Sequence, residues 1–215
     1  MHHKTLLFDL DGTLTDSGEG IINCAQYAFE KMGYPVPERE KMGVFVGPPL
    51  AETMIKFGIP AEKTGEAIRI FRERYIPIGK YENKLYPGIP EMLQALLDDG
   101  WTLFVATSKP EITAKEVLEH FQLSKYFRLI CGADMEEKRV EKADVIAYLL
   151  EQTTPGDTCL MIGDTRYDVA GAKEHGIATI GVSWGYGDVK QMREEGAIAI
   201  ADTPQQLTDI LRMYQ

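Results

Sequence analysis

Two textures of apolar spacing divide this chain. Leu6-Leu7-Phe8, Trp101-Thr-Leu-Phe-Val-Ala106, Arg128-Leu-Ile-Cys131, Thr158-Cys-Leu-Met-Ile162, Ala178 to Val182 and Ala197 to Ala201 are short, nearly unbroken apolar runs. Runs of that kind predict strands covered on both faces. Between the later runs, apolar residues recur at three- and four-residue spacing. They predict helices over about Ile89 to Asp99, Glu111 to His120, Lys142 to Gln152, Asp168 to His175, Val189 to Glu195 and Pro204 to Met213. Strand and helix in alternation imply right-handed crossovers and a parallel sheet.

From about residue 17 to 85 the texture is helical only. Asp16 followed three residues later by Glu19 reads as a capping box, and Ile21, Ala25, Ala28 and Met32 then share a face until Gly33. Pro35 and Pro37 mark a loop, with a short helical turn expected over 38–42. Gly43-Val-Phe-Val-Gly47-Pro48-Pro49 reads as a hinge-like segment opening a helix that carries Leu50, Met54 and Phe57. A longer helix from about Ala61 aligns Ala67, Ile68, Phe71 and Tyr75. The expected fold is therefore α/β: a Rossmann-like parallel sheet with helices on both faces, residues 1–16 and 86–215, interrupted after its first strand by an all-helical unit, residues 17–85.

Composition narrows the partners. A formal net charge of −10 disfavours nucleic acid and anionic membrane. No apolar run reaches spanning length, and Met1-His2-His3-Lys4 leads straight into the first strand without a signal-peptide core, so the cytoplasm is expected. Cys24, Cys131 and Cys159 have no C-x-x-C spacing and are expected as free thiols. The charge is uneven: residues 17–86 carry 10 Lys/Arg against 9 Asp/Glu, or +1, and the remainder 13 − 24 = −11. A small anionic metabolite would meet less repulsion from the helical unit than from the core.

Candidate chemistry sits at the strand ends. Asp9 and Asp11 follow the first apolar run, and positions two apart on an extended segment point the same way. Two converging carboxylates need a cation or a shared proton, which suits a metal-assisted site where one attacks and the other moves protons. Gly12 lets the backbone turn, and Thr13 brings a hydroxyl. Thr107-Ser108, before the helix that follows Pro110, suits a phosphate oxygen or a plain helix cap. Asp164 closes a buried strand after Gly163, with Asp168 one helical turn further on. Lys142 is the candidate cation, with Lys138 and Arg139 as nearby alternatives. Trp184 and Tyr186 are expected to pack the rim of the core, the alternative being contact with the helical unit, and His120 and His175 to end helices.

In order along the chain, Asp9-x-Asp11-Gly12-Thr13, Thr107, Lys142 and Gly163-Asp164-x-x-x-Asp168 resemble the motifs of the haloacid dehalogenase-like hydrolases. The helical unit falls where that family inserts a C1-type cap. Leu-Tyr86-Pro-Gly-Ile, Ala106-Thr-Ser-Lys-Pro110 and Gly185-Tyr-Gly187 are similar to its phosphoglycolate phosphatase-like and 5′-nucleotidase-like members. The resemblance implies a phosphomonoesterase for a small phosphorylated metabolite, working through an aspartyl-phosphate. Asp9 would be the nucleophile and Asp11 the acid and base. Mg²⁺ would lie on the carboxylates of Asp9 and Asp164 and the carbonyl of Asp11, with Asp168 orienting from behind. Gly12, Thr107, Ser108 and Lys142 would hold the phosphate. Selectivity is expected in Gly47, Pro48, Pro49 and Arg72, or in Lys80, the alternative for the arginines 69, 72 and 74 being a solvated helix face. A monomer or weak homodimer is expected. The competing expectations are a phosphomutase of the β-phosphoglucomutase type, a receiver-like switch, and a non-catalytic phosphate or metal binder.

Overall fold

The computed structural model describes residues 4–134 and 139–214. In chain order its elements are β1 (Lys4–Phe8), β2 (Thr15–Asp16), α1 (Gly18–Lys31), α2 (Leu50–Lys56), α3 (Thr64–Tyr75), β3 (Lys84–Leu85) and α4 (Ile89–Asp98). Then come β4 (Trp101–Pro110), α5 (Glu111–His120), β5 (Leu129–Ala133), α6 (Lys142–Gln152), β6 (Thr158–Gly163), α7 (Arg166–Lys173), β7 (Ala178–Val182), α8 (Val189–Glu195), β8 (Ala199–Ala201) and α9 (Pro204–Arg212). Six strands form one sheet in the order β5-β4-β1-β6-β7-β8, every neighbouring pair parallel.

The apolar runs lie inside because both faces are covered, as expected. Leu6 and Phe8 join Leu103, Val105, Leu160 and Ile162 in a cluster closed by α4, α5 and α9. Leu7, pointing the other way, joins Phe104, Ala106 and Met161 under α6 and α7. With β1 between β4 and β6, Phe8 is level with Val105 and Ile162, so the three chains leave the sheet at one edge. Ligands of open α/β sheets bind at that kind of edge, where strand order reverses.

Residues between β2 and β3 pack around a cluster of their own, including Phe29, Phe45, Met54 and Phe71. The helices-only expectation for residues 17–85 fails at the far end of this unit. Thr15–Asp16 and Lys84–Leu85 pair as a short antiparallel ribbon, and strands of two residues leave no periodicity to read. The capping box expected of Asp16 and Glu19 does not form either. Ser17 precedes α1 without a side-chain cap, Glu19 lies 3.6 Å from Lys84, and the Asp16 carboxylate accepts from the Tyr186 hydroxyl. The hinge-like segment is partly wound, since Arg39–Phe45 is a 3₁₀ helix. No helix among the described residues is long and apolar enough to cross a membrane.

Candidate active site

Asp9 is the first residue past β1, and its N–H continues the ladder to the Ile162 carbonyl at 2.9 Å. That bond holds its carboxylate beside Asp164, which follows β6, and Asp168 in α7. The three acids offer oxygens within 4.8 Å of one another. Lys142, the first residue of α6, reaches in beneath them. Its Nζ lies 2.8 Å from Asp9 Oδ1 and 2.7 Å from Asp168 Oδ1, and donates to the Ala106 carbonyl at 2.9 Å.

Both oxygens of Asp164 and the second oxygen of Asp168 have donors of their own. Asp164 is 0% exposed; its Oδ2 accepts from the Tyr186 N–H at 2.8 Å and its Oδ1 from the Thr13 hydroxyl at 3.1 Å. Asp168 Oδ2 accepts from the Thr165 N–H and hydroxyl at 3.0 and 2.8 Å, closing a capping box on α7. Both Asp168 oxygens are thereby engaged, which suits an orienting part. Gly12 shapes the turn between the acids: its φ is +83°, and a Cβ there would stand 2.3 Å from Asp164 Oδ2.

Three buried carboxylates against one ammonium leave an excess of two negative charges. Burial pushes Asp9 up to about 6 in spite of Lys142, with Asp168 and Asp11 adding to the rise. Burial, then Asp168 and Asp9, hold Asp164 well above the usual carboxylate range. For Lys142 burial works downward, but Asp168 and Asp9 raise it above an ordinary lysine. An all-oxygen donor set with two charges to neutralise fits a hard divalent cation.

Asp11 stands apart from this group. Both its oxygens accept from Lys109 Nζ, each at 2.7 Å. Sequence reasoning missed Lys109, having ended the strand at Thr107-Ser108. β4 in fact runs to Pro110 with a register shift after Thr107. The readable signal was parity, since Lys109 is two residues from Thr107 on an extended segment.

Above this floor lies a cavity of about 490 Å³. Asp9, Asp11, Thr107, Ser108 and Lys109 face it from the core, and Gly47, Pro48, Pro49 and Arg72 from the helical unit, as does Tyr75. Gly47 has φ +101°, and a Cβ would stand 2.8 Å from Thr165 Cγ2, so the chain crosses close above α7. Lys80 lies elsewhere: it is buried with its ammonium 2.6 Å from Glu116 of α5. Of the other arginines, Arg69 pairs with Glu73 on an exposed face, and Arg74 with Glu82 at 2.6 Å. Lys138 lies outside the described residues. Arg139 is spent on Glu111 and the Gly132 carbonyl and stacks 3.6 Å over Tyr148.

Trp184 packs against the main core and donates to the Thr13 carbonyl at 3.0 Å. Tyr186 takes the alternative and not the favoured reading: its ring packs against the helical unit's cluster while its N–H serves Asp164. The glycines on either side gave its loop no readable direction. Cys24, Cys131 and Cys159 are free thiols, each pushed by burial to about 11.

A family model described as haloacid dehalogenase-like hydrolase matches residues 6–182. A 5′-nucleotidase of Pseudomonas aeruginosa is 40% identical over 195 residues, 90% of this chain and 88% of that protein. Tyrosine-protein kinase PtkA of Mycobacterium tuberculosis is 43% identical over 185 residues, 86% of this chain but 63% of PtkA. The crystal structure of a predicted phosphatase from Clostridium acetobutylicum is similar with a TM-score of 0.94 at 38% identity, covering 99% of this chain and 100% of that one.

Proposed function

From the premise that the chain belongs to the haloacid dehalogenase-like hydrolases, we propose that it is a Mg²⁺-dependent phosphomonoesterase acting on a small phosphorylated metabolite, a nucleoside monophosphate or a phosphoglycolate-like ester. The observation that carries this is Asp9: a carboxylate at the centre of the sheet edge, ion-paired to Lys142, facing a cavity, two residues from a second acid. The nucleotidase likeness carries more weight than the kinase likeness because it spans nearly the whole of both proteins.

In the reaction, an Asp9 oxygen attacks phosphorus and the ester P–O bond breaks, leaving an aspartyl-phosphate. Asp11, entering the step in its protonated form, gives that proton to the departing alkoxide, then takes one back from the water that cleaves the Asp9–phosphorus bond. Lys142 fixes the nucleophile and balances charge on the transferring group, with Thr107, Ser108 and Gly12 near the remaining phosphate oxygens. Asp9 and Asp164 would hold Mg²⁺, together with the Asp11 carbonyl, and Asp168 would orient Lys142. When bound, the ion supplies the positive charge that the buried acids lack and favours the ionised nucleophile.

Residues 1–16 and 86–215 make up the catalytic core and 17–85 a cap that closes over the substrate. The cap's separate apolar cluster and its share of the cavity wall support that division. Three unpaired cysteines support a reducing compartment, the cytoplasm.

Phosphate release across nucleoside monophosphates, phosphoglycolate, sugar phosphates and pyrophosphate, with and without Mg²⁺, tests the proposal, with Asp9→Asn as blank. Mg²⁺-dependent release that vanishes in the blank is expected. Release persisting in Asp9→Asn or in excess chelator overturns the mechanism, and turnover only with a sugar bisphosphate primer replaces it with a mutase.

A further inference from the structure

Two buried polar groups have no part in the chemistry above, and both face the cavity beside Asp11. Lys109 spends two of its N–H groups on Asp11. Tyr75, the last residue of α3, comes from the cap to meet it, with Lys109 Nζ 5.1 Å from its ring centroid. Tyr75 is 7% exposed; its hydroxyl oxygen lies against the Lys109 ammonium, and its own proton has no acceptor among the described residues. A buried hydroxyl is seldom left with its proton unmatched. One that lines a cavity is a donor placed for an acceptor that arrives with the ligand. Burial pushes this phenol up to about 12, so it keeps its proton at neutral pH.

Location restricts what that acceptor is. Asp11 serves the ester oxygen, so groups around Asp11 flank the leaving group rather than the phosphate. The adjoining cap wall offers Phe45, Ile68 and Phe71, which compete for no oxygen. We propose that Tyr75 Oη and Lys109 Nζ form a leaving-group subsite, which takes an acceptor oxygen carried one or two carbons from the ester. The carboxylate of a phosphorylated hydroxy acid and the ring oxygen of a nucleoside 5′-monophosphate share that chemistry. The proposal rests on the phosphomonoesterase reading and adds to it a residue of the cap that selects substrate.

The test compares kcat/KM of wild type and Tyr75→Phe, in Mg²⁺, on phosphoglycolate, a nucleoside 5′-monophosphate and propyl phosphate. The last has an equally poor leaving group but no second oxygen. The variant keeps the ring that stacks on Phe71, with centroids 5.1 Å apart, and a thermal melt matching wild type checks its fold. A loss of about tenfold, what one hydrogen bond contributes, is expected on one or both oxygenated substrates, with less than threefold on propyl phosphate. Which oxygenated substrate responds tells the carboxylate from the ring oxygen. Equal loss on all three, or none on any, overturns the subsite. Should wild type hydrolyse none of the three, the phosphomonoesterase reading fails first, a result distinct from a failure of Tyr75.

Discussion

Lys142 serves three acceptors at once, Asp9, Asp168 and the Ala106 carbonyl, so truncating it strands two buried acids. Lys142→Met should lower phosphate release at least a thousandfold, and a urea melt should lose about 3–5 kcal/mol, the usual result of breaking a buried pair. The pH dependence follows from Asp9. Its value in the fold, about 6 against an ordinary 3.8, means that folding favours the protonated acid. Metal-free wild type should therefore lose stability relative to Asp9→Asn as pH rises from about 4 to about 6, and the gap should hold steady above that. Urea melts at unit pH steps check it, and a gap that closes in Mg²⁺ at pH 7 would tie the strain to the missing cation. Asp9, Asp11 and Asp164 were legible because each follows an apolar run at once. Lys109 and Tyr186 were not, since one sits on a strand extension masked by polar residues and the other's side chain is aimed by tertiary contacts.

Among the elements, α7 joins stability to chemistry through one acid. Asp168 caps the helix with one oxygen and holds Lys142 with the other. Thr165→Ala should remove only the cap and cost about 1 kcal/mol in a thermal melt. Asp168→Ala should cost more and also lower kcat at least tenfold, since Lys142 loses an anchor. Equal kinetic losses in the two variants would contradict that separation. Helices and buried strands were legible because their apolar faces repeat over many residues. The β2–β3 ribbon and the missing Asp16 capping box were not, because a partner almost seventy positions away in the chain decides them.

At the scale of the whole molecule, the helical unit lines much of the cavity whose floor the sheet edge makes, which on the proposed reading divides selectivity from reaction. Replacing Gly47-Pro48-Pro49 with bulkier residues should reorder a substrate panel more than it lowers turnover of p-nitrophenyl phosphate; uniform losses would assign the segment to general packing. Cap and core touch at spaced points: Lys80 on Glu116, Tyr81 tilted against His120 with ring centroids 5.0 Å apart, and Tyr186 on the cap's apolar cluster. Because Asp16 and Lys84 stand opposite each other in the ribbon, the polypeptide departs and returns through a single doorway. On the proposed reading, a crossover between two genes at that doorway would transplant an entire selectivity module while every strand of the sheet stays in register. Descendants of such an exchange would inherit a finished reaction centre and a new diet.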